Sequence, residues 1–293
     1  MRIFIAGASG FIGSILFDDF SKEHEVFGSF YSNPIEGLNH LDITDKKAVD
    51  KIITLLRPDV IIHPAANPNV EFCEEDPRET WRVNVEGSKN LIKSAKDIGA
   101  KFVFFSSDYI FDGTDGPYSE EDRPNPINEY GKQKLAVEKL IKGSLENYLI
   151  IRITVVYGWE RHGKNFVMAM IRNLNSGKFM KIPYDQVGSP TYANNMVQVV
   201  KELVELDKTG VYHVAGSDLM NRYAFARNVA NIFELDENLL IPVTTNELGQ
   251  KAKRPLKAGM KIAKVQKDVS VHLMGVKEGL EEMKKSQRKM IYE

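Results

Sequence analysis

Short apolar runs alternate with longer stretches in which hydrophobic residues recur every three or four positions, and the alternation persists through the first half of the chain. Ile3 to Ala6 is a compact apolar run of the kind a strand buried on both faces requires. A turn from Gly7 to Gly13 enters a helix that ends near Phe20. Glu25 to Phe30 reads as a second strand, Asp45 to Leu56 as an amphipathic helix stopped before Pro58, and Asp59 to Ile62 as a third strand. Asp76-Pro77 opens a long helix to about Ile98, and Lys101 to Ser106 is a fourth strand. After a polar, proline-rich loop come a helix from about Ile127 to Ile141 and a fifth strand, Tyr148 to Arg152. Strands alternating with helices at this spacing predict an α/β fold with a doubly wound, mostly parallel sheet. Ligands of such sheets bind outside the carboxyl ends of the strands.

The rhythm loosens after about Tyr157. Asn165 to Asn173, Ala193 to Leu206, Arg222 to Phe233 and Gly275 to Lys289 have helical periodicity, and Val211 to Ala215 reads as a returning strand. The expected division is a dinucleotide-binding domain from 1–157 with 187–215, and a smaller substrate-binding lobe from 158–186 with 216–293.

Composition narrows the function classes. With 293 residues, 43% of them hydrophobic, the chain can bury a large core. A net charge of −1 supplies no global field for nucleic acid or an anionic membrane. The single cysteine, Cys73, leaves no internal disulfide and suits a reducing cytoplasm. Six scattered histidines lack ligand spacing, so no metal site is expected. No apolar run reaches membrane-spanning length. The start could imitate a short signal peptide, but the glycines that follow at turn spacing argue for a strand and loop.

Three motifs carry candidate chemistry. In Gly7-Ala8-Ser9-Gly10-Phe11-Ile12-Gly13, Gly7 permits a tight turn, Gly10 lets backbone approach a pyrophosphate, and Gly13 lets the helix pack on the sheet. The helix N-terminus favours the anion. At the end of the second strand, Phe30 is followed by Tyr31, Ser32 and Asn33. No acid stands there to bind ribose hydroxyls, and no Arg or Lys to pair a 2′-phosphate, so use of both NADH and NADPH is expected, tipped toward NADPH. Asp42, beside Ile43, is placed near the adenine edge or as a helix cap, although Thr44 and Asp45 are nearer candidates for the cap.

The second motif is Ser106-Ser107-Asp108-Tyr109 at the end of the fourth strand. Period-two alternation gives Ser106 and Ser107 opposite facings, and Ser107 is the one assigned to the crevice. Asp108 and Tyr109 touch substrate or build the loop. The third motif is Tyr130-Gly131-Lys132-Gln133-Lys134, which puts Tyr130 and Lys134 one turn apart on one helix face. There an ammonium can lower the pKa of a phenol, about 10 when unperturbed, and fit it for proton transfer to a carbonyl oxygen. Lys132 points elsewhere and is expected to be solvated. Cys73 and Trp81 read as packing residues, and Lys284, Lys285, Arg288 and Lys289 as a solvated face.

These residues resemble the extended short-chain dehydrogenase/reductase family, and within it the dTDP-4-dehydrorhamnose reductase group. The likeness includes the glycine fingerprint, Ala65-Ala66, Asn84-Val85, Ser106 through Gly113, Pro117-Tyr118 through Lys132, Asp185 through Thr191 and Arg254-Pro255. The resemblance implies a catalytic triad of Ser107, Tyr130 and Lys134. It implies that Ala65, Ala66, Asn84 and the neighbouring Asn67 line the cofactor cleft, with Ser106 close by. Asn165, Phe166, Gly188, Ser189, Pro190 and Arg254 would face a sugar nucleotide or its neighbouring loops. The expected reaction is reduction of a 4-keto group on a nucleotide-linked deoxysugar, and a homodimer is plausible by the same likeness. Two departures stand out: Ser107 replaces a common Thr, and Val155 replaces a Trp that commonly packs on the sugar. Both look closer to the related regulatory β-subunit of methionine adenosyltransferase, which serves as a partner of another enzyme. An epimerase or dehydratase is a further option within the fold.

Overall fold

The computed structural model describes residues 1–292, with side chains described through Ser286. The first half runs β1 (Arg2–Ile5), α1 (Phe11–Phe20), β2 (Glu25–Phe30), β3 (Asn39–His40), α2 (Lys46–Leu56), β4 (Val60–His63), α3 (Val70–Glu75), α4 (Pro77–Trp81), α5 (Gly87–Ile98), β5 (Lys101–Ser107), α6 (Glu129–Ser144) and β6 (Tyr148–Ile153). The second half runs β7 (Val156–Tyr157), α7 (Phe166–Asn175), β8 (Met180–Pro183), β9 (Val187–Gly188), β10 (Thr191–Tyr192), α8 (Ala193–Glu205), β11 (Gly210–His213), β12 (Met220–Asn221), α9 (Arg222–Phe233), β13 (Leu240–Val243), α10 (Ala263–Asp268) and α11 (Val276–Tyr292).

Seven parallel strands form the central sheet in the order β11-β6-β5-β4-β1-β2-β3. The sheet alternates its apolar residues between two cores, as strand geometry demands. Ile3 and Ile5 pack with Leu16 of α1 and with Met196 and Val200 of α8. Phe4 faces the other way, onto Val49 of α2, Leu91 of α5 and Val137 of α6. A third core joins Val167 and Met170 of α7, Phe225 and Val229 of α9, and Leu280 and Met283 of α11. Of the segment 187–215, Gly210–His213 joins the central sheet, whereas β9 and β10 pair with β12 and β7 in small ribbons.

The first half of the chain departs from the sequence expectation in the region after β4. The long helix read from Asp76 to Ile98 is interrupted by a π-helical turn at Arg82–Glu86 and preceded by α3. The turn follows from buried polar demand. Asn84 is drawn inward, where its amide donates to Gln133 Oε1 at 2.7 Å and to the Asn67 carbonyl at 3.2 Å, and accepts from the Asn67 N–H at 2.7 Å. Trp81, read as a core anchor, is instead 40% exposed, because the chain leaves ordinary helical phase at the next residue. Cys73 is buried as expected. Lys132 pairs with Glu129 on the surface. Lys284 bonds the Ile232 carbonyl and Glu234, so it ties α11 to α9 rather than standing free in solvent. Arg288 and Lys289 lie outside the residues whose side chains are described.

One buried ion pair fixes α6 on the sheet. Arg152 Nε and Nη2 donate to Glu138 Oε1 and Oε2 at 3.0 and 2.9 Å, and both side chains are 1% exposed. Arg152 Nη1 also donates to the Glu120 carbonyl at 3.3 Å and lies 3.3 Å from His213 Nε2. Burial, then the Arg152 charge, pushes His213 down to about 3 and keeps the imidazole neutral. Removing one partner strands a buried charge, which costs about 3–5 kcal/mol. We therefore expect Arg152→Met to destabilise the fold by that amount in urea unfolding. Arg152→Met with Glu138→Leu should recover most of the loss, and a double variant no better than the single would show that the pair itself stabilises α6.

Candidate active site

Strand order reverses between β1 and β4, so the carboxyl ends of these strands open onto a crevice. The glycine turn fills it with backbone. Gly7 has φ +88°, and a Cβ there would stand 2.8 Å from the Ala65 Cβ. A Cβ on Gly13 would fall 2.0 Å from the Gly7 carbonyl oxygen. Only side-chain-free residues allow β1, α1 and the loop after β4 to meet this closely. No side chain caps α1 at Gly10, which leaves first-turn N–H groups at Phe11 and Ile12 for an anion. Ser9 lies in the same half-buried turn.

Gly7, Phe30, Ser32, Asp42, Ile43, Ala65 and Ala66 line one continuous cavity. Asn33 is exposed and not on its wall. Asp42 accepts from the Thr44 N–H and hydroxyl at 2.8 and 2.7 Å, while Asp45 caps α2. Asn84 spends its amide on Gln133 and on the Asn67 backbone, while Asn67 Oδ1 accepts from the Asn69 N–H, so Asn84 acts on the cleft by shaping the loop after β4. Arg82 was not foreseen there. The π turn carries it onto the cavity wall beside Tyr31, where Nη1 donates to Thr44 Oγ1 at 2.7 Å and the remaining nitrogens meet Glu79. Reading the end of β2 alone could not find a cation that arrives from another element. The uncapped helix, the glycine cradle and the apolar-walled cavity fit a dinucleotide.

Ser107, Tyr130 and Lys134 converge at the neighbouring strand end. Asn128 caps α6 by accepting from the Gly131 N–H at 2.8 Å, which starts the helix at Glu129. Gly131 is packed so tightly that a Cβ would stand 2.0 Å from the Tyr109 carbonyl oxygen. Lys134 Nζ donates to the Phe105 carbonyl at 2.8 Å and lies 5.7 Å from the Tyr130 ring centroid and 4.8 Å from that of Phe104. Burial pushes Lys134 down to about 8. The phenol of Tyr130 moves opposite to expectation. Burial raises its pKa well above the ordinary value, Asp108 adds to the rise, and the nearby Ser107 hydroxyl opposes it. Helical spacing puts the two side chains on one face, but a desolvated ammonium takes the nearest carbonyl instead of the phenol.

Ser107 Oγ accepts from the Tyr109 N–H at 3.2 Å and donates to Asp108 Oδ1 at 3.0 Å. Thr154 Oγ1 donates to the other carboxylate oxygen at 2.6 Å. Burial raises Asp108 to about 6 despite these bonds. Ser106, one position earlier, has a buried hydroxyl without a partner among the described residues.

A second pocket adjoins this group. Asp108, Tyr109, Val155, Gly188 and Pro190 line it, together with Gln186 of the Asp185–Thr191 stretch and with Arg222 and Phe225, which the sequence reading did not single out. Val155 holds φ +43°, an uncommon conformation for a β-branched residue and a sign of strain in the pocket wall. Other expected substrate contacts fall elsewhere. Asn165 caps α7 and its amide bonds the Gly158 carbonyl and Glu160, so its polar atoms are spent within the protein. Phe166 stacks on Phe225 and lies beneath the Arg222 guanidinium, behind the pocket wall. Ser189 is buried and accepts from the Met260 N–H. Arg254 Nη2 pairs with Glu71 at 2.6 Å, while its Nη1 is buried without a partner among the described residues. Among those residues no helix is long and apolar enough to cross a membrane, and no cluster of acidic, His or Cys side chains could hold a metal ion.

A glycine turn at the switch point, with Ser, Tyr and Lys at the next strand end, belongs to the Rossmann-like fold of extended short-chain dehydrogenases/reductases. More narrowly, residues 1–289 match the model of the RmlD substrate binding domain, and the chain belongs to that family. It is 34% identical over 276 residues to methionine adenosyltransferase 2 subunit beta of Bos taurus, covering 90% of this chain and 81% of that one. It superposes on dTDP-4-dehydrorhamnose reductase of Bacillus anthracis in complex with NADP with a TM-score of 0.90 and 30% identity, covering 97% of this chain and 99% of that one. A hypothetical dTDP-4-dehydrorhamnose reductase of Sulfolobus tokodaii gives a TM-score of 0.86 at 34% identity, covering 94% and 97%.

The lowered pKa of Lys134 makes a stability prediction for the cofactor-free protein. Between about pH 8 and the ordinary lysine value of about 10.4, the unfolded chain binds this proton and the folded one does not. Stability contributed by this site therefore rises with pH across that window. In urea unfolding at pH 7.5 and pH 10, wild type should gain relative to Lys134→Met. Equal changes in the two proteins would show that the lysine titrates normally.

Proposed function

We propose that the protein is a nicotinamide-dependent reductase that converts the 4-keto group of a nucleotide-linked deoxysugar to an alcohol. The observation that carries this reading is the convergence of Ser107, Tyr130 and Lys134 beside a glycine cradle fitted to a dinucleotide. A reduced nicotinamide bound in the cleft supplies the hydride. Tyr130 gives its phenolic proton to the substrate oxygen. Ser107 turns its hydroxyl from Asp108 to that oxygen and stabilises the charge that develops on it. Lys134 leaves the Phe105 carbonyl to hold the cofactor ribose, and from there its charge eases proton loss by the phenol. Cofactor contacts are assigned to Gly7, Gly10, Phe11, Ile12, Phe30, Ser32, Asp42, Ala65 and Ala66. The lobe built on α7, α9 and α11 is assigned to the substrate. Arg82 on the cleft wall supports the tilt toward NADPH if it exchanges Glu79 for a 2′-phosphate, with which a guanidinium pairs well.

The likeness to the methionine adenosyltransferase β-subunit, together with the aliphatic Val155 in the pocket wall, favours one second reading: a cofactor-bound regulatory subunit. Co-purification with a methionine adenosyltransferase, in the absence of ketosugar turnover, would place that reading first.

The test follows NADPH and NADH absorbance with purified protein and dTDP-4-dehydro-6-deoxy-L-mannose. Tyr130→Phe should slow the chemical step at least about a hundredfold, the scale of general acid catalysis. A variant within a few-fold of wild type would remove Tyr130 from the proton transfer. Catalytic efficiency should favour NADPH, and equal or better efficiency with NADH would reverse the cofactor preference.

A further inference from the structure

Arg222 opens α9, and its N–H is fixed on the Gln186 carbonyl at 2.8 Å. Its guanidinium lies 4.9 Å from the centroid of Phe166, whose ring stacks on Phe225. It is half-buried and lines the pocket shared with Asp108, Tyr109 and Val155. Among the described residues, no hydrogen bond or ion pair reaches this guanidinium. The other arginines without such a partner, Arg57, Arg78, Arg123 and Arg161, are all exposed and solvated. The remaining arginines with described side chains are engaged: Arg2 with Glu25, Arg82 with Glu79, Arg152 with Glu138, Arg227 with Glu237, Arg254 with Glu71, and Arg172 with a backbone carbonyl.

A guanidinium stays charged at any physiological pH and presents a planar fork of donors. Enclosing it without an acceptor is costly unless something else supplies one. Asp108 does not fill that role. It stands outside ion-pair distance of Arg222, and its two oxygens accept from Ser107 and Thr154. Outside the pocket lining, Arg254 lies 5.8 Å from the Tyr109 ring, with its Nη1 unpartnered among the described residues. Among the described residues, the pocket therefore holds a guanidinium whose donors no protein acceptor takes.

We propose that Arg222 recognises an oxyanion of the substrate, a phosphate or a carboxylate, which enters the pocket and completes the guanidinium fork. Two sources share this chemistry: the diphosphate of a sugar nucleotide, or a carboxylate borne by the sugar itself. The proposal rests on the reductase reading only in taking this pocket as the substrate site.

Calorimetric titration of NADP-saturated protein with inorganic pyrophosphate and, separately, with D-galacturonate tests it. At least one anion should bind wild type, and Arg222→Gln should weaken that anion about 10- to 100-fold, the loss of one charge-assisted hydrogen-bonded contact. Arg222→Lys keeps the charge without the fork and should recover part of the affinity. Loss confined to pyrophosphate assigns the diphosphate, and loss confined to galacturonate assigns a sugar carboxylate. Failure of wild type to bind either anion, or equal binding by Arg222→Gln, overturns the proposal. Unchanged NADPH binding by the variants confirms their fold. Because the readout is anion binding, the result stands apart from ketosugar turnover and from the Tyr130→Phe test.

Discussion

The seating of α6 against the sheet is the constraint on which the rest of the site depends. A surface helix ordinarily buries an apolar stripe. Here the buried face carries Gln133, Lys134 and Glu138 alongside Val137 and Ile141. Each polar group finds a specific partner: Gln133 meets Thr80 and Asn84, Lys134 the Phe105 carbonyl, and Glu138 the Arg152 guanidinium. Apolar contacts tolerate sliding, whereas buried hydrogen bonds fail at a shift of an ångström. Together with the contact of Gly131 on the Tyr109 backbone, this row leaves Tyr130 one position beside Ser107.

The same row couples the two cavities. Asn84 links Gln133 to the Asn67 backbone, so the loop that carries Ala65 and Ala66 is held by the helix that carries Tyr130. The π turn around Asn84 sends Arg82 to the cleft wall beside the end of β2. One insertion into a helix thus sets both a structural amide and a surface cation. At the other end, Asp108 ties Ser107 to Thr154, and the strained Val155 follows at once in the pocket wall. Strain retained at such a position agrees with a wall shaped for a ligand.

Charge in the ligand-free site is stored rather than spent. Burial weakens the lysine as a base, raises the phenol and raises the carboxylate of Asp108 to about 6. All three shifts favour the neutral form, the expected response of ionisable groups in a site with few counter-ions. Arg222 cannot neutralise itself in this way, which sets it apart from the titratable groups around it.

The sequence by itself determined the parallel sheet, the glycine turn that opens α1 and the shared helix face of Tyr130 and Lys134. The apolar runs, the glycines at three-residue intervals and the spacing of Tyr130 to Lys134 are local signals, and local geometry suffices to read them. Strand alternation also separated Ser107 from Ser106, and the structure sets the Ser107 hydroxyl against Asp108 and the Tyr109 N–H. Only the tertiary structure decided what each polar group bonds. Asn165 became a helix cap, Lys134 turned to a carbonyl instead of the phenol, and the tryptophan at position 81 turned outward. Arg82 and Arg222 reached their cavities from elements distant in the chain, with no local mark to announce them. Periodicity reports which face of an element is apolar. The partner of a buried charge is chosen by competition among acceptors brought together from the whole chain, and that competition exists only once the chain has folded.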